Sequence, residues 1–144
     1  MNLSQVNLVV RDIARSIAFY RRLGLVIEEG GDPDWARHHA SCRTPDGIRL
    51  EFDSHAFAQQ WDPGWKASPG GSTGVLMFDV PTREDVDRLF VELIQAGAPV
   101  HKPPEDAFWG ARYAIVEDPD GNAVGVMSPI EDGRRFAPPP PPPA

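Results

Sequence analysis

Apolar and polar residues alternate along Gln5-Val-Asn-Leu-Val-Val-Arg-Asp, the two-residue period of a half-buried strand. Apolar side chains then recur at Ile13, Ile17, Tyr20 and Leu23, the spacing of one helix face, and Gly24 stops the run. The same succession returns later in the chain. Residues 75–80 (Val-Leu-Met-Phe-Asp-Val) read as a strand, and Val86, Leu89, Phe90, Leu93 and Ile94 form a second helical stripe. Thr82 and Asp85 have capping-box spacing at its start, and Gly97 stands just past its end. The two strand–helix units lie 70 positions apart.

The segments after the helices repeat as well. Thr44-Pro-Asp-Gly-Ile-Arg-Leu-Glu51 matches Asp118-Pro-Asp-Gly-Asn-Ala-Val-Gly125, 74 positions on. In each, Pro-Asp-Gly marks a tight turn between strand-like runs, 35–43 before 48–53 and 111–117 before 122–128. Short apolar runs at 25–27 and 99–101 supply one more strand per half, so each half reads β-α-β-β-β. The pattern predicts an α+β chain: a first module over 1–55, an inter-module loop over 56–73, a second module over 74–130, and a disordered Pro-rich tail over 131–144. Six consecutive prolines, 138–143, give that tail polyproline II character.

Composition narrows the function classes. Fourteen Lys and Arg against 21 Asp and Glu leave a net charge of −7 over 144 residues. No basic stripe is present to displace phosphate counterions, which argues against a nucleic-acid partner and favours neutral or cationic ligands. No apolar run approaches the roughly 20 residues of a membrane span, and the first residues lack a readable signal peptide, so a cytoplasmic address is the expectation. The single cysteine, Cys42, excludes an internal disulfide and a cysteine-cluster metal site.

Two such modules, each ending in a Pro-Asp-Gly hairpin, resemble the vicinal oxygen chelate superfamily, which includes glyoxalase I, extradiol dioxygenases and bleomycin resistance proteins. The segments Val9-Val-Arg-Asp-Ile-Ala-Arg-Ser-Ile-Ala-Phe-Tyr20 and Glu117-Asp-Pro-Asp-Gly-Asn122 carry the resemblance. It implies a U-shaped mixed sheet with the ligand in its concave cup, commonly completed in a homodimer. Metal-dependent members place one ligand on the first and one on the last strand of each module. The matching positions here are Gln5, Glu51, Val75 and Gly125. A divalent ion needs several lone pairs converging at about 2.0–2.3 Å, and Val75 and Gly125 have none to give. The expectation is therefore no bound metal, with a divalent ion at a shifted site as the alternative.

Asp79, His38, His55 and His101 are the donors considered for a shifted site. A symmetric turn over 44–47 would pair Arg43 with Ile48, placing His38 and Cys42 on the Glu51 face and His39 with Leu50 on the other. Asn7 shares the Gln5 face. On that reading Gln5, Asn7, His38 and Glu51 line the cup, with Arg49 and Arg112 as cationic partners for Glu51. Trp35, Trp61, Trp65, Phe108 and Trp109 fall outside the helical stripes, as ring platforms for a flat or cationic ligand do. The run Asp106-Ala-Phe-Trp-Gly-Ala-Arg112 resembles a segment beside the cup in bleomycin-resistance-like members.

The residues support two readings of function. One is a metal-free protein that binds a small molecule, an antibiotic among the candidates, in an aromatic-lined cup. The other is an enzyme of the superfamily, a lyase, isomerase or dioxygenase, using a displaced metal or Glu51 as acid or base.

Overall fold

The computed structural model describes residues 3–29, 31–67, 74–140 and 143. The chain divides into two compact units, 1–71 and 72–144. The first contains β1 (Gln5–Val10), α1 (Ile13–Arg22), β2 (Glu28–Glu29), α2 (Pro33–Ala36), β3 (His39–Arg43), β4 (Arg49–Ser54) and α3 (His55–Trp61). The second contains β5 (Val75–Asp79), α4 (Arg83–Gln95), β6 (Val100–Asp106), β7 (Arg112–Glu117), β8 (Ala123–Met127) and a short 3-10 turn, Asp132–Arg134. The sheets have the matching orders β1-β4-β3-β2 and β5-β8-β7-β6. In each, the first and last strands pair in parallel and the remaining pairs are antiparallel. The α+β architecture of two βαβββ units is the one the repeat predicts.

The helices sit where their caps and stripes place them. Asp12 accepts the Arg15 N–H at 3.1 Å to open α1, and α1 buries Ile13, Ile17, Phe19 and Tyr20 on one face of the first sheet. The Tyr20 ring lies 5.0 Å from Phe52 of β4. Thr82 and Asp85 form the expected cap on α4: Thr82 Oγ1 accepts the Asp85 N–H at 3.1 Å and donates to Asp85 Oδ2 at 2.8 Å. That helix buries Val86, Leu89 and Leu93, each side chain stabilising by about 1.5–3 kcal/mol on full burial. No helix among the described residues is long and apolar enough to cross a membrane.

The hairpin turns differ from the symmetric form by one residue. Thr44 N–H donates to Ile48 O and Gly47 N–H to Thr44 O, both at 2.9 Å, with Gly47 at φ +88°. Asp118, Asn122 and Gly121 (φ +83°) repeat the arrangement. These are three-residue loops, a type I turn followed by a left-handed glycine. Arg43 consequently pairs with Arg49, Ser41 with Glu51, and His39 with Asp53, not Arg43 with Ile48. One residue of register exchanges the faces of β3. His39 and Ser41 join Glu51, Asp53, Gln5 and Asn7 on the face away from α1, while Cys42 lies level with Leu50.

Two further segments depart from the expectation of the sequence. Within the stretch 56–73, expected as a loop, residues 56–61 belong to α3, whose N-cap Ser54 accepts the Phe57 N–H at 3.1 Å and whose Ala58 is fully buried. Residues 131–136, expected in a disordered tail, are tied down: Glu131 N–H donates to Gly110 O and Phe136 N–H to Phe108 O, both at 3.1 Å. Residues 68–73 of the expected loop, and 141, 142 and 144 of the expected tail, lie outside the described residues. Gly110 makes the strap over 131–136 possible. Its φ is +95°, and a β-carbon there would lie 2.4 Å from the Glu131 carbonyl oxygen. Gly110→Ala is therefore expected to lower unfolding free energy by about 2 kcal/mol, read from urea denaturation, and to increase amide exchange across 131–136.

Candidate functional site

The face of the first sheet away from α1 carries a connected set of polar side chains. Gln5 Nε2 donates to Asn7 Oδ1 at 2.6 Å, and Asn7 Nδ2 donates to Asp53 Oδ2 at 2.9 Å. The other carboxylate oxygen of Asp53 lies 2.8 Å from His39 Nδ1. Because a carboxylate only accepts, Nδ1 carries a proton, and in the neutral imidazole Nε2 then presents a lone pair. Nε2 lies 3.6 Å from Glu51 Oε2, too far for a hydrogen bond. Asp53 is 1% exposed and Glu51 7%, whereas the His39 side chain is 40% exposed. Oε2 of Glu51 is buried and has no hydrogen-bond partner, alone in this respect among buried side-chain polar atoms of the described residues. Most buried polar atoms are paired, so an orphan of this kind points to a partner from outside the chain.

Of the residues the sequence proposes for the site, Gln5, Asn7 and Glu51 do share this face. His38 does not. The three-residue turn sends it to the other side of β3, where Nδ1 contacts Ser54 Oγ at 2.8 Å, and His39 takes its place beside Glu51. His39 is the member that parity on a symmetric turn misses, whereas Asp53 shares the Glu51 face by alternation along β4 and Phe57 comes from α3. The left-handed glycine favoured at the third position of Pro-Asp-Gly is the signal that finds His39. Arg49 shares the Glu51 face, but no donor reaches Oε2.

Arg112 is engaged elsewhere. Its Nε and Nη2 grip Asp87 at 2.6–3.0 Å and its Nη1 donates to Asp106 at 2.9 Å. These bonds, those to Asp87 foremost, hold the guanidinium above its ordinary value. It braces α4 against β6 and β7 of the second unit, so the expectation of Arg112 as a partner for Glu51 is replaced by an internal ion network. The aromatic residues divide by unit. Trp35 packs edge-on to Phe57 at 5.3 Å, and Phe57 also touches the His39 ring at 5.7 Å. Trp35, His38, Phe57 and Gln60 line a cleft of about 320 Å3 in the first unit. Trp65 lies on His55 at 4.8 Å and Trp61 is half-exposed. In the second unit Phe108, Trp109 and Tyr113 touch in succession, with ring centroids 5.0 Å apart. His101 faces Glu117 at 3.7 Å, and Asp79 is exposed at the end of β5.

Comparison with known proteins agrees with this architecture. A profile of the glyoxalase/bleomycin resistance protein/dioxygenase superfamily matches residues 2–126, and the chain belongs to that superfamily. A solved structure of a glyoxalase/bleomycin resistance protein/dioxygenase family enzyme from Burkholderia phytofirmans superposes with a TM-score of 0.76 at 28% identity, covering 89% of this chain and 98% of that one. A lactoylglutathione lyase structure from Agrobacterium tumefaciens shares the fold, with a TM-score of 0.64 at 19% identity over 88% and 92% of the two chains. A protein of Mycobacterium tuberculosis named only as uncharacterized is 31% identical over 128 residues, 88% of this chain and 74% of that one.

The residues present do not fit the superfamily's four-ligand ion site. Val75 and Gly125 carry no donor, and the space over Gly125 is filled: a β-carbon built there would meet Met77 Sδ at 2.6 Å and Cε at 2.7 Å. Among the described residues no group of three or more His, Cys, Asp or Glu side chains is disposed to hold a metal ion.

Burial first, and the Glu51 charge second, push the Cys42 thiol above its usual range. Replacing Glu51 by Gln removes that charge and the orphaned oxygen together, and offers an amide N–H toward His39 Nε2. Glu51→Gln is expected to raise unfolding free energy by about 1–2 kcal/mol in urea denaturation and to lower the pH at which Cys42 reacts with a thiol reagent. At the ion network, the Arg112 hydrogen bond, assisted by Arg83, holds Asp106 below the ordinary aspartate value of 3.8. A carboxyl depressed on folding stabilises at higher pH and loses that contribution as pH falls through its folded value. Thermal melting below about pH 4 should therefore decline less steeply in Asp106→Asn than in the wild type.

Proposed function

We propose that the chain binds a small organic molecule without a metal cofactor, and that Glu51 accepts a hydrogen bond from that molecule. The observation that carries this reading is the buried, unpartnered Glu51 Oε2 beside an imidazole whose other nitrogen is held by Asp53. A ligand hydroxyl or cationic nitrogen supplies the donor that the protein withholds. Phe57, whose ring touches His39, also lines with Trp35 a separate cleft of about 320 Å3, the scale of a small-ligand pocket. Antibiotics with planar or cationic groups fall within this class, and a homodimer is the assembly this reading carries from the family. The His39–Asp53 contact also favours a second reading, in which His39 and Glu51 act as an acid/base pair on the bound molecule.

Tryptophan fluorescence, titrated with a panel of flat and cationic compounds in the presence of a chelator, tests the main reading. Saturable quenching at the same midpoint with and without chelator is the expected result. Silence across the panel, or binding that the chelator abolishes, overturns it. Conversion of a bound compound, lost in His39→Asn, moves the protein to the second reading.

A further inference from the structure

Two neighbouring atoms on the face of β3 and β4 away from α1 can both accept hydrogen bonds. With Nδ1 donating to Asp53, a neutral His39 carries its lone pair on Nε2, and Glu51 Oε2 has no hydrogen-bond donor within the chain. They stand 3.6 Å apart. A hydroxyl has one hydrogen and satisfies one of them. An alkyl ammonium has three, and a nitrogen about 2.8 Å from each acceptor spans this separation. The positive charge also answers two carboxylates, Glu51 and Asp53, both more than nine-tenths buried. The ring of Phe57, which touches His39, offers an aromatic face to a cation or to the carbon chain behind it. Of the two residues, His39 is the one that meets solvent, its side chain being 40% exposed.

From this geometry we infer that His39 and Glu51 form a two-point seat for a primary ammonium group, so that the ligand of the first unit is an amine. The inference rests on the binding role proposed above and adds the chemical class. It differs from the superfamily's ion positions in using His39 in place of any residue of the second unit.

The test compares phenethylamine with 2-phenylethanol, which share size and ring and differ in the head group, by 15N–1H correlation spectra of the full chain. The amine is expected to shift the amide signals of His39, Ser41, Glu51 and Asp53 and to bind at least about ten-fold more tightly than the alcohol. Glu51→Gln, whose spectrum also reports its folding, should remove the preference, and His39→Asn should weaken it. If Glu51→Gln does not fold, His39→Asn decides alone. Equal binding of amine and alcohol at these signals overturns the amine assignment but leaves the binding role standing. Shifts confined to other residues, or displacement of the amine by stoichiometric Zn2+ at His39 and Glu51, also overturn it. If neither compound binds and the fluorescence panel is silent, both readings fall.

Discussion

A single backbone conformation, Gly47 in the left-handed region, decides what chemistry the first unit displays. With φ at +88° the glycine closes a three-residue loop, and the register of β3 against β4 follows from it. Because side chains alternate strictly along a strand, that register assigns His39, not His38, to the face bearing Glu51. The Asp53–His39–Glu51 alignment and the sorting of Cys42 with Leu50 have the same origin. The second unit repeats the turn at Gly121, where the buried Asp118 carboxylate accepts the N–H groups of Asp120 and Asn122, so both sheets are registered by one local rule.

Above that frame the first unit holds an unresolved electrostatic problem. Asp53 is provided for on both oxygens, by Asn7 on one and His39 on the other. Glu51, two residues away and nearly as buried, has no hydrogen-bond donor at Oε2, with His39 Nε2 standing off at 3.6 Å. A protein selected for stability alone would replace it, since an unmatched buried acceptor costs more than a neutral residue of the same shape. Its presence is understandable where the missing bond is made by something that arrives. The second unit shows the contrasting solution, in which Arg112 and Arg83 pair with Asp87 and Asp106 within the chain.

Much of this is legible in the residues. The internal repeat, the capping Thr82, the helix-ending glycines and the apolar stripes dictate element order, because each is a local signal acting over a few residues. Parity alone places Gln5, Asn7 and Glu51 on one face. The histidines turn on a count: a symmetric Pro-Asp-Gly turn is one residue shorter than the real loop, and that single position sends His38 and His39 to each other's sides. Arg112 escapes for another reason. Its partners, Asp87 and Asp106, are brought to it by helix packing and by an irregular pairing of β6 with β7, which no short-range pattern reveals. The hold of Gly110 on residues 131–136 likewise depends on carbonyl positions that side-chain chemistry does not encode.

Met77 over Gly125 has a bearing on how chains of this superfamily could exchange one chemistry for another. A side chain added at position 125 would have to displace the Met77 thioether, which is the far end of a flexible and exposed side chain. A rotamer change at Met77 is enough to reopen that volume, so the second unit keeps within one substitution a position from which a donor could project.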